Sequence, residues 1–74
     1  MIQNEDIVRV LVEMDAGIDA SKLKADVPLI SQGLDSLDMA TLMFELETKY
    51  QTSLAPENAA KLRTIEQIVN YLNR

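Results

Sequence analysis

The chain has 74 residues and a formal net charge of −5, with twelve acidic side chains against seven basic ones. It contains no cysteine and no histidine. Those absences exclude a disulfide scaffold, a thiolate metal site and the commonest general base, while the acidity argues against nucleic acid or an anionic membrane as partner.

At this length the sequence is read as one domain over residues 1–74. Hydrophobic residues make up 47% of it but aromatic ones only 4%, so the core must be aliphatic. No basic segment followed by an apolar run stands at the N-terminus, so no signal peptide is expected. No apolar run approaches the ~20 residues needed to cross a bilayer, and membrane insertion is not expected. Cysteine-free usage fits a cytoplasmic location.

A first helix is predicted over residues 4–16. Asn4 is placed to cap it, and Glu5 and Asp6 suit the positive end of its dipole. Ile7, Val10, Leu11 and Met14 repeat at i, i+3, i+4 and i+7, which outweighs the β-branched content of the segment. Gly17 is placed to end the helix.

Residues 17–34 show no long periodic segment. A short helical turn is predicted within residues 19–24, and Pro28 interrupts anything nearby. Ile18, Leu23, Val27, Leu29 and Ile30 punctuate the stretch, so it is expected to pack down. So long a loop in so small a domain calls for a functional reason.

A second helix is predicted over residues 36–50, with Asp35 as its cap and Asp38 completing a shortened capping box. At about 100° per residue, Met39, Leu42, Met43, Leu46 and Tyr50 share one apolar stripe. Leu37, Ala40 and Phe44 share a second, and Asp38, Glu45 and Lys49 form a polar ridge expected opposite the first. The denser stripe is expected to face the core, leaving the second partly exposed beside Ser36. Pro56 opens a short helix predicted to reach residue 61. The last helix is predicted over residues 64–73, capped by Thr64 and Gln67, with Ile65, Ile68, Val69 and Leu72 inward. The fold class is therefore all-α: a small four-helix bundle of three main helices and one short one, with a long loop between helices one and two.

The most informative stretch is Gly33-Leu34-Asp35-Ser36-Leu37-Asp38. A serine opening a helix is ordinarily a cap, but Asp35 already fills that position. Ser36 has no histidine to activate it, and the Gly-x-Ser-x-Gly nucleophile elbow is absent. Leu34 interrupts the Gly-Asp-Ser-Leu run that marks some lipases. No Asp-x-Asp-x-Asp-Gly calcium loop exists either. Neither a catalytic residue nor a metal site is expected, and the chain is not expected to be an enzyme. A serine that nothing within the chain can activate points to one modified from outside.

With these residues the chain resembles the acyl carrier protein family. Asp35-Ser36-Leu37 after Gly33 is similar to the family's phosphopantetheine attachment motif. Size, acidity, the long first loop and the order of helices extend the likeness over essentially the whole chain. The resemblance implies a 4′-phosphopantetheine arm attached to Ser36 by a phosphopantetheinyl transferase, with Asp35 and Leu37 flanking the site. The terminal thiol of the arm would carry acyl groups as thioesters, which a cysteine-free chain cannot do by itself. It further implies docking of partner enzymes on helix two, through Asp38, Ala40, Thr41, Phe44, Glu47 and Thr48. Those partners would be an acyl- or aminoacyl-loading ligase and downstream synthases or transferases serving fatty-acid, lipid or polyketide-type synthesis. A stand-alone monomer is expected.

Three departures suggest a specialised member, one being that the Leu29 to Leu34 approach lacks the acidic residue often seen just before the motif. Thr41 stands where carriers of fatty-acid synthesis usually have an acid. Phe44 stands where a smaller side chain is common, and it is expected to reshape the opening of any acyl pocket between the helices. The alternatives are an aminoacyl or peptidyl carrier, and a protein-interaction module of the same fold without the arm.

Overall fold

Gln3, and not Asn4, caps the first helix. The Gln3 N–H donates to Asp6 Oδ2 at 2.8 Å and the Asp6 N–H donates to the Gln3 carbonyl at 3.0 Å. The acid expected to serve only the helix dipole thus closes the first turn. The computed structural model describes residues 1–54 and 62–74. The short helix predicted over residues 56–61 lies outside the described residues.

Three α-helices are present among the described residues: α1 (Asn4–Glu13), α2 (Ser36–Tyr50) and α3 (Ile65–Leu72). No strand occurs among them. Helix α1 stops three residues short of the predicted end. The left-handed residue that breaks it is Asp15, with φ 56°, rather than Gly17. Aspartate is among the few side-chain-bearing residue types that visit this conformation. Helix α2 begins and ends where its pattern predicts. The first turn of α3 is closed by Thr64, whose Oγ1 accepts the Gln67 N–H at 3.0 Å.

The core is aliphatic. Ile7, Val10 and Leu11 of α1 meet Leu42 and Leu46 of α2 and Ile65 and Ile68 of α3. Leu29, Leu34, Leu54 and Leu62 from the connecting segments complete it. The dense stripe of α2 therefore faces inward, Leu42 and Leu46 fully buried and Met39, Met43 and Tyr50 half-buried. The polar ridge is displaced from its predicted position. Glu45 and Lys49, with Thr41, border a groove of about 300 Å³ against Val10 and Glu13 of α1 and Met14 just past its end. The face turned away from the core carries Leu37 and Phe44 instead, 74% and 64% exposed.

The connection between α1 and α2 is a built structure. It contains 3₁₀ turns at Ala20–Lys22 and Leu29–Gln32. Leu29 is completely buried, and Ile18, Leu23 and Val27 are half-buried. Ile30, by contrast, is 60% exposed and does not pack down. Backbone bonds tie the loop to the start of α3, from the Leu29 N–H to the Arg63 carbonyl at 2.9 Å and from the Glu66 N–H to the Ala25 carbonyl at 3.0 Å. Gln32 adds a bond from Nε2 to the Val27 carbonyl at 2.8 Å. Backbone polar groups that would otherwise lack partners are satisfied in this way.

Candidate functional site

Ser36 occupies the first helical position of α2, and the chain reaches it through a tight turn. Gly33 has φ 115°, a region open to glycine and strained for side-chain-bearing residues. The Leu34 N–H donates to the Leu29 carbonyl at 3.2 Å, and the Leu34 side chain is 2% exposed. Leu34 is thus an anchor. Burying it turns Asp35, Ser36 and Leu37 to solvent, all three being exposed.

Asp35 takes the cap. Its Oδ1 accepts the Asp38 N–H at 2.8 Å, and the Asp35 N–H donates to Asp38 Oδ2 at 3.3 Å. Both acids expected beside the serine therefore work on the backbone. The Ser36 hydroxyl makes no hydrogen bond among the described residues and stands free at the positive end of the α2 dipole. An anionic group attached there would gain about 0.3–1 kcal/mol from the exposed helix end. Asp35 and Asp38 offset part of that gain by repulsion.

The remaining expected site residues separate into two groups. Leu37, Ala40, Thr41, Phe44 and Thr48 are all exposed and lie on the outer face of α2. The hydroxyls of Thr41 and Thr48 are turned back to the helix. They donate to the carbonyls of Leu37 and Phe44, each at 3.1 Å. That leaves the outer face more apolar than its composition suggests. Glu47 is not brought into this strip. It is half-buried, and its Oε2 accepts the Leu54 N–H at 3.0 Å, fixing the chain that leaves α2.

Phe44 is 64% exposed on the outer surface, as expected for the second apolar stripe of α2. What packs inside at this level is Met39, Met43, Leu46 and Leu62, within one core. The residue that pattern reading missed is Gln32. A glutamine in a loop carries no periodic signal, yet it organises the approach to Ser36. No group of three or more acidic side chains suited to a metal ion occurs among the described residues. No helix among them is long and apolar enough to cross a membrane.

An exposed, unbonded serine hydroxyl at a capped helix start suits attachment by an external enzyme, because nothing must be broken to free it. A protein-family model described as the phosphopantetheine attachment site matches residues 6–72 of the chain.

Proposed function

Because the chain belongs to the phosphopantetheine-attachment family of acyl-carrier-type domains, which carry 4′-phosphopantetheine, we propose that Ser36 bears the arm and that the protein delivers acyl thioesters between biosynthetic enzymes. The observation that carries this reading is the division of labour at the start of α2. Asp35 caps the helix, and the exposed Ser36 hydroxyl makes no hydrogen bond among the described residues.

Attachment is an exchange at phosphorus. The Ser36 Oγ–P bond forms and the pyrophosphate P–O bond of coenzyme A breaks. Adenosine 3′,5′-bisphosphate leaves, and the serine proton passes to a base of the transferase. The chain has no histidine to supply that base, which fits a transferase acting in trans. When bound, the arm supplies a thiol for thioester formation. The part played by this chain is presentation: Leu34 buried, Gly33 turning the backbone and Asp35 fixing the helix start hold Ser36 outward.

The outer face of α2 supports the partner reading. Leu37 and Phe44 offer apolar anchors next to Ser36, and the net charge of −5 steers basic partners at long range. Small, weak, charge-guided interfaces suit a carrier that must hand off its cargo. Thr41 and Phe44 favour specialised service over general fatty-acid synthesis. The cargo is then an acyl group of a modified lipid or secondary metabolite, with an aminoacyl group as the alternative. The exposed strip also favours one second reading, an interaction module that holds a permanent partner on Leu37, Ala40 and Phe44 and carries no arm.

Incubation with coenzyme A and a promiscuous phosphopantetheinyl transferase tests the attachment. Intact-mass analysis is expected to show one phosphopantetheine added to the wild type and none to Ser36→Ala. An unmodified wild-type mass, or equal modification of the variant, overturns the proposal.

A further inference from the structure

Between the Ala20–Lys22 turn and Gly33 the loop borders an open surface cleft of about 520 Å³. Half-buried Ile18, Leu23 and Val27 give it an apolar lining. Lys22 and Lys24 also line it, both exposed. Neither ammonium forms an ion pair among the described residues, where the Arg9–Asp6 contact at 3.5 Å is the ion pair found. Asp19 shares the cleft and stays negatively charged, its Oδ1 engaged by both the hydroxyl and the N–H of Ser21, so Lys22 and Lys24 outweigh it by one positive charge.

The cleft is preformed. Gln32 binds Lys24 and Val27 through three hydrogen bonds, and the Leu29–Arg63 and Glu66–Ala25 backbone bonds fix the far side. Gly33 closes the wall nearest Ser36, where an added Cβ would meet Ile18 Cγ2 at 3.5 Å. Gly33 and Ser36 are three residues apart, and three residues span at most about 11 Å. A long flexible group tethered at Ser36 therefore reaches the cleft.

We propose that this cleft receives the distal end of the Ser36-tethered arm when its cargo is a short acyl group ending in a carboxylate. The inference rests on the attachment of the arm at Ser36. Methylene groups of the cargo cover Ile18, Leu23 and Val27, while its carboxylate faces Lys22 and Lys24. A neutral acyl group of the same length gains the apolar contact and leaves both ammonium groups to water. The lysines thus set a preference for charged cargo.

The test compares the protein loaded from succinyl-coenzyme A with the protein loaded from butyryl-coenzyme A. The two cargoes have equal carbon number and differ in the terminal carboxylate. Mass analysis first establishes loading on Ser36. Amide chemical shifts of Ile18, Leu23, Val27 and Gly33 then report occupancy of the cleft. Succinyl loading is expected to favour the cleft about fivefold over butyryl at low salt, the range of an exposed ion pair. Added salt and the Lys22→Gln/Lys24→Gln double variant are each expected to remove that preference. Failure to load overturns the attachment and this inference with it. Loading that leaves the four amides unmoved, moves them equally for both cargoes, or is insensitive to the lysine substitutions overturns this inference alone.

Discussion

Gln32 grips Lys24 on both of its backbone groups. The Lys24 N–H donates to Gln32 Oε1 at 2.7 Å, and Gln32 Nε2 donates to the Lys24 carbonyl at 2.9 Å. The same Nε2 reaches the Val27 carbonyl. One side chain therefore does for this loop what a strand partner does for a sheet. Gln32→Ala is expected to cost about 1–3 kcal/mol, since three backbone groups lose their partner and one bond is partly buried. Urea unfolding measures the loss. Amide exchange should rise across residues 24–32 well before it rises in α1. A variant as stable as the wild type, with unchanged exchange, would show that the backbone bonds to Arg63 and Glu66 suffice.

Asp35 and Ser36 are neighbours with opposite expected behaviour. Asp35→Ala removes the cap that accepts the Asp38 N–H and should cost about 1 kcal/mol. Ser36→Ala removes a hydroxyl that has no hydrogen bond among the described residues and should change stability by less than about 0.5 kcal/mol. Thermal unfolding separates the two. Comparable losses would mean that the Ser36 hydroxyl has a structural duty.

The site was legible where local chemistry dictates structure. Asp35 and Thr64 are caps that their own sequence neighbours announce, and the stripe of Leu42 and Leu46 announces its own burial. The shape of the loop was not legible, because it depends on pairs far apart in sequence or without periodicity. Gln32 with Lys24 is one such pair. A pair outside the loop escapes the sequence for the same reason: Asn73 Oδ1 accepts the Ile2 N–H and Asn73 Nδ2 donates to the Ile2 carbonyl, each at 2.9 Å. Periodicity places Phe44 on a second, sparser apolar stripe, and the greater density of the first already points to the exposure that the structure shows.

Phe44 and Leu42 lie two residues apart on opposite faces of α2, at 64% and 0% exposure. Leu42→Ala opens a cavity in the core and should cost about 2–5 kcal/mol. Phe44→Ala should leave stability within about 0.5 kcal/mol. If Phe44 anchors a partner, its removal should lower kcat/KM for transfer to that partner about tenfold, the loss of one apolar contact worth about 1.4 kcal/mol. Steady-state transfer kinetics and a denaturation curve on the same sample keep the two effects apart. Unchanged transfer with every enzyme that accepts the carrier would remove Phe44 from the docking face.

The acid in the loop cleft is expected to remain charged throughout the working range. The Ser21 hydroxyl donates to Asp19 Oδ1 at 2.6 Å and the Ser21 N–H to the same oxygen at 3.0 Å. These bonds, the hydroxyl first, hold the Asp19 carboxyl below its usual range, against a small opposing effect of burial. Because the folded value is the lower one, the unfolded chain takes up the proton first as pH falls. The contribution to stability is present above the unfolded value and is lost as pH drops through the folded one. Asp19 therefore keeps its charge at neutral pH and adds no pH dependence of its own to the cleft. Carboxyl carbon NMR of Ser21→Ala should show the Asp19 midpoint moving upward toward its ordinary range. An unmoved midpoint would mean that the backbone N–H alone stabilises the carboxylate.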